Sequence, residues 1–97
     1  MATYISLANY TDQGIKRIKD SPKRLAAAVR MFAQYKVKLK EFYLMMGEYD
    51  IMVILDAPNA EAVSKAALAL GLLGNVRTKT ARAYPRREFE RLVAGVK

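Results

Sequence analysis

The chain contains no cysteine and no histidine among its 97 residues. Disulfide bonds, thiol nucleophiles, histidine-dependent catalytic triads and zinc sites built from these residues are therefore excluded. Nine carboxylates remain as candidate acids, bases or hard-metal ligands, and none of them forms the spaced acidic cluster of a calcium loop. We expect no metal site and no cofactor.

Long apolar runs are also missing. No stretch approaches the roughly 18 consecutive apolar residues of a transmembrane helix. The first residues, Met1-Ala2-Thr3-Tyr4, lack the basic region and apolar core of a signal peptide. We therefore expect a cytoplasmic protein with no membrane segment. An apolar fraction of 53% is too high for a disordered chain and predicts one folded domain over residues 1–97.

Positive charge dominates the composition. Seventeen basic residues against nine acidic ones give a net charge of +8. Such an excess is either a solvated surface or an affinity for an anion, whether nucleic acid, nucleotide, acidic protein or anionic metabolite. The basic residues are spread along the chain and not gathered in one tail, which argues against nucleic acid as the partner.

Two apolar segments flank a turn in the middle of the chain. Residues 42–46 and 51–55 suit β-strands because they contain β-branched and aromatic side chains. Between them lies Gly47-Glu48-Tyr49-Asp50, and Gly47 can adopt a positive φ at no steric cost. The pattern predicts a central β-hairpin.

The remaining elements follow from periodicity, caps and breakers. The predicted order is a strand at 3–10, a helical turn at 15–19 capped by Thr11 or Asp12, a helix from Asp20-Ser21-Pro22 to about Val37, strands at 38–46 and 50–57, a helix at 60–70 capped by Asn59, a strand at 75–84 and a short helix from Pro85. This order predicts an α+β fold. The fold is a ferredoxin-like βαββαβ sandwich with an added C-terminal helix and a four-stranded antiparallel sheet of order 4-1-3-2.

The third strand suggests that one chain is not a complete assembly. Residues 51–55 are apolar at every position, so both faces of this strand need cover. The helices of one chain can cover only one face of its sheet. We therefore expect a homodimer or larger homo-oligomer that packs through the open sheet face.

The turn residues Gly47-Glu48-Tyr49-Asp50 resemble the signature of the GYD-domain family. The stretches at 9–15, 18–24, 56–58 and 74–80 are similar to that family too, so the resemblance covers nearly the whole chain. It implies membership of the dimeric α/β-barrel superfamily, whose ferredoxin-like subunits pack sheet against sheet. It implies no particular activity.

We expect strands one and three to be parallel neighbours, and this arrangement gives a candidate anion site. One end of the sheet would then join the end of strand one, Asp56 and the start of strand four, close to the N-termini of both long helices, where Lys16 and Arg17 would add charge. The alternative is that Asp56 simply pairs with Arg77 and that Asn75 satisfies the turn. The predicted ligand-binding residues are Asn9, Tyr10, Thr11, Asn75, Arg77 and Thr78.

The opposite end supplies candidate catalytic residues, namely Tyr49, Asp50 and Arg82. Asp50 could act as a general base, or it could pair with Arg82 and fix the hairpin. Aromatic residues 42, 43 and 49 could line a pocket for a flat apolar substrate, or they could be core residues.

Three functions remain open at this point. The favoured one is a small oligomeric binding or regulatory module for an anionic small molecule or a partner protein. The second is a cofactor-independent enzyme, monooxygenase- or isomerase-like, acting on a small cyclic or aromatic substrate. The third is a structural assembly unit. RNA binding is disfavoured because strand three offers no aromatic residue for stacking.

Overall fold

Four strands and four helices follow one another in the predicted order. The computed structural model describes residues 1–97. Its elements are β1 (Ala2–Tyr10), α1 (Asp12–Lys16), a 3₁₀ turn (Ile18–Asp20), α2 (Ser21–Gln34), β2 (Lys38–Leu44), β3 (Ile51–Ala57), α3 (Ala60–Leu72), β4 (Val76–Ala83) and α4 (Arg86–Ala94). The α+β, ferredoxin-like prediction is confirmed.

The sheet has the order β2-β3-β1-β4, as predicted, and every neighbouring pair is antiparallel. The expectation that strands one and three are parallel is wrong. The crossover through α2 makes β2 parallel to β1, and the hairpin then reverses the chain, so β3 must run against β1. This reversal changes which residues meet at each end of the sheet.

Helix starts were predicted with mixed success. Asn59 caps α3, since its Oδ1 accepts from the backbone N–H of Ala62 at 2.9 Å. Thr11 caps α1 through the N–H of Gly14. Asp20 precedes α2 but makes no capping hydrogen bond, and its carboxylate lies 3.4 Å from Arg17 instead. α2 ends at Gln34, before the predicted end.

The core lies between the sheet and helices α2 and α3. Alternate residues of β1 and β3 point toward the helices, which makes the strand period of two visible in their burial. The buried core consists of Tyr4, Phe32, Val37, Leu55, Ala57, Val63 and Ala66.

The other face of the sheet carries no helix of this chain. Ile5, Leu7, Tyr43, Met52 and Ile54 are neighbours on this side, and we refer to them as the open sheet face. Tyr43 is about half exposed, whereas the other four are half-buried.

None of the four helices has the length and apolar character needed to cross a bilayer.

Candidate functional site

Asp50 joins the hairpin to the end of β1. Its carboxylate Oδ2 accepts a hydrogen bond from the backbone N–H of Tyr10 at 3.0 Å. In return, Oδ1 of Asn9 accepts from the backbone N–H of Asp50 at 3.0 Å. Because β3 is antiparallel to β1, the structure brings a predicted catalytic residue together with two predicted ligand-binding residues.

The neighbouring turn is closed by Thr11 and Asn75. The N–H of Thr11 donates to the carbonyl of Asn75 at 3.1 Å, and the Thr11 hydroxyl donates to the carbonyl of Gly74 at 2.5 Å. The Asn75 side chain accepts from Gln13 Nε2 at 2.9 Å. Gly14 is required here, since a Cβ at this position would lie 2.0 Å from the Asn75 carbonyl oxygen. These predicted ligand groups are therefore used to hold the fold.

The six predicted ligand-binding residues do not form one site. Asn9, Tyr10, Thr11 and Asn75 share the end of β1. Arg77 and Thr78 are consecutive in β4, so their side chains point to opposite faces of the sheet. The helix-side face carries Thr78, and Arg77 is exposed on the other face.

The expected role of Asp56 is wrong. Its carboxylate lies 3.4 Å from Lys40 Nζ and accepts from the Thr3 hydroxyl at 3.5 Å, at the far end of the sheet from Asn9. It does not pair with Arg77. The N-terminus of α3 follows β3 and so lies at that far end as well, which leaves only α1 and α2 starting near Tyr10.

Arg82 lies away from the other two predicted catalytic residues, Tyr49 and Asp50. Arg82 pairs with Glu88 at 3.1 Å and lies over the ring of Tyr84 at 4.3 Å, so the expected Asp50–Arg82 pair is absent. The ring of Tyr49 instead lies 5.9 Å from Lys79 Nζ. No group of three or more acidic side chains comes together in a way that could hold a metal ion.

The predicted aromatic pocket does not form either. Phe42 points into the helix-side core, whereas Tyr43 points to the open sheet face because consecutive strand residues alternate. Phe42 therefore fits the core alternative, whereas Tyr43 is about half exposed and does not.

A cavity that the sequence did not indicate lies between α2, α3 and the sheet. Its volume is about 90 Å³. Its wall is mainly apolar and includes Leu25, Ala28, Phe32, Phe42, Val53 and Leu70. At its polar edge, the Tyr10 and Ser21 hydroxyls lie 3.0 Å apart, next to Arg24.

Arg24 also closes the loop before α2. Its Nη1 donates to the carbonyl of Arg17 at 2.8 Å and its Nη2 to that of Gly14 at 3.1 Å. One signal in the sequence could have indicated the polar edge of the cavity. Helical spacing puts Ser21 and Arg24 on the same side of α2 as Leu25 and Ala28. The empty volume beside the short Ala28 side chain leaves no such signal.

Comparison with known proteins agrees with the fold and the turn. A relative from Thermus thermophilus, named glutamine synthetase and cystathionine beta-lyase binding protein, is 30% identical over 86 residues, covering 88% of this chain and 90% of the relative. The crystal structure of TTHA0845 from the same organism matches with a TM-score of 0.54 and 24% identity, over 89% of this chain and 100% of that one. The family model described as GYD domain matches residues 4–93. The chain therefore belongs to the GYD-domain family.

Proposed function

We propose that the protein is a binding module for other proteins and that it works as a self-associated unit. The observation that carries this proposal is the open sheet face, whose apolar residues form a continuous patch that no helix of the chain covers. Apolar patches of this kind mark contact surfaces. Two sheets can pack face to face through their apolar sides, so the open sheet face supports sheet-to-sheet pairing with a second copy.

The relative's name supports protein binding in particular. That protein is named for binding glutamine synthetase and cystathionine beta-lyase. We extend this class of partner, an enzyme, to this chain. The candidate catalytic residues do not share a pocket, so an enzyme function has no comparable support.

We place the partner surface on the segment 16–24. Four of its cationic side chains are exposed, and Asp20 is its single acidic residue. The segment lies on the helix side, so it stays accessible when the open sheet face is covered. The expected partner surface is acidic, and its association should weaken as salt screens the charges. The exposed cations are Lys16, Arg17, Lys19 and Lys23.

Titration calorimetry tests this proposal. The titrants are purified glutamine synthetase and cystathionine beta-lyase from the organism that makes this protein. We expect the protein to bind at least one of the two enzymes. This binding should weaken in high salt, and it should also weaken when Lys19 and Lys23 are replaced by glutamate. Arg30→Glu, further along the same helix, should bind like the parent because it lies outside the segment. Absence of binding to both enzymes, or equal loss with Arg30→Glu, would contradict the proposal.

A small anionic molecule is a second candidate, favoured by the cavity beside Arg24. We propose that a short apolar chain with a carboxylate or phosphate would place its tail against Ala28 and its charge near Arg24. Thermal-shift measurements with short-chain carboxylates and organic phosphates test this. Ala28→Leu should fill the cavity and remove any stabilisation, whereas Ala27→Leu, which is exposed, should retain it. No stabilisation of the parent protein by any of these compounds would contradict this candidate.

A further inference from the structure

Helix α4 has an apolar side that nothing in its own chain covers. The side chains of Phe89, Leu92 and Val93 are 56%, 48% and 52% exposed, and they share one side because they are three and four residues apart. No other helix or strand packs extensively along α4. An isolated helix of nine residues is marginal in water, so α4 needs a surface to pack on.

The same chain carries a groove of mixed polarity that none of its own segments fills. It has a volume of about 530 Å³ and runs between α3 and the edge strand β4. Small residues of α3 leave the groove open, and Leu68 at its border is 72% exposed. The residues of α3 and β4 that line it include Ala60, Val63, Ser64, Ala67, Thr78 and Thr80.

Helix α4 starts beside this groove but does not line it. Arg82 lines one end of the groove, and its guanidinium binds Glu88 in the first turn of α4. Pro85 is extended, with φ −56° and ψ 158°, and no residue of α4 lines the groove. The longest dimension of the chain is 51 Å. The nine residues of β1 span about 30 Å. The remaining length is enough for α4 to project beyond the sheet.

We propose that α4 of one copy packs in the α3–β4 groove of a second copy, so that two chains exchange their C-terminal helices. The inference rests on the self-association proposed above and specifies how it is completed. The open sheet face presents on the order of 500 Å², given four strands about 4.8 Å apart and about 25 Å long. A stable interface buries about 800 Å² of accessible surface on each partner. The figure for the sheet face is a flat projected area, and exchanged helices add further buried surface to it. The occupant is a second copy because the groove and the uncovered helix belong to the same chain but do not meet within it.

Cysteine cross-linking tests the exchange cleanly, since the protein has no cysteine of its own. Ser64→Cys in the groove and Val93→Cys on α4 are placed in separate chains, one of them tagged, then mixed and treated with a short bismaleimide. Both positions are exposed, so the folded chain tolerates the changes. We expect a cross-linked pair containing one chain of each kind. That product should be lost when Arg87→Cys, on the opposite side of α4, replaces Val93→Cys.

Three results would overturn the proposal. The first is a cross-link within one chain when Ser64→Cys and Val93→Cys are placed together in the same chain. The second is a cross-link of Val93→Cys chains with each other in place of the mixed pair, and the third is no cross-link at all. Sedimentation of the same samples separates the two claims. A dimer without the mixed cross-link overturns helix exchange and leaves sheet pairing intact, whereas a monomer overturns both.

Discussion

The Asp50 carboxylate accepts a hydrogen bond from the backbone N–H of Tyr10 at 3.0 Å. This contact joins the residue that precedes β3 to the residue that ends β1. A second hydrogen bond, from the backbone N–H of Asp50 to the side-chain oxygen of Asn9, reinforces it. The aspartate of the Gly47-Glu48-Tyr49-Asp50 turn thus serves the fold. Gly47 serves it too, because its φ of +114° is strained for any other residue.

Replacing Asp50 by alanine should lower the free energy of unfolding by about 2 kcal/mol, since the partly buried Tyr10 N–H loses a charged acceptor. Asp50→Asn keeps an oxygen acceptor and should lose about 1 kcal/mol. Urea unfolding measures both. Glu48→Ala, at an exposed neighbouring position, is the control and should change little. Equal stability of Asp50→Ala and the parent would show that the contact does not hold the hairpin.

Gly14→Ala should destabilise the protein by more than about 2 kcal/mol, because the added Cβ meets the Asn75 carbonyl, which is backbone and cannot easily move. The matched control is Gly71→Ala near the end of α3, where the new Cβ meets nothing within 4 Å. That change should stabilise the protein by about 0.5 kcal/mol. Thermal unfolding of the two variants should therefore move in opposite directions, and a shared direction would contradict the packing described for Gly14.

These two sites show what could be predicted from the sequence. The order of elements and the ferredoxin-like sheet were predictable because strand alternation, helical spacing and the Asn59 cap are local signals. Strand direction is also determined by topology. The expectation that β1 and β3 are parallel put Asp56 at the wrong end of the sheet, and it put Asp50 at the end opposite Tyr10. The close approach of Gly14 to Asn75 depends on packing between distant segments, and so does the cavity beside Ala28. Neither leaves a pattern along the chain.

The Arg82–Glu88 pair should fix the start of α4. Their side chains are 30% and 25% exposed, so a double-mutant cycle with Arg82→Met and Glu88→Gln should give a coupling energy of about 1 kcal/mol. The coupling should decrease at high salt. Hydrogen exchange in residues 86–94 should speed up in either single variant. A coupling of zero with unchanged exchange would show that the pair does not position α4.

The mass of the protein in solution tests most directly whether the open sheet face is an interface. Sedimentation equilibrium should give at least twice the 10.9 kDa of one chain. Ile54→Glu puts a charge in the middle of that face and should reduce the mass to a single chain while circular dichroism stays native. Ile15→Glu, at an exposed position on α1, should keep the parent mass. A parent protein of 10.9 kDa, or an Ile54→Glu variant that keeps the parent mass, would contradict the account.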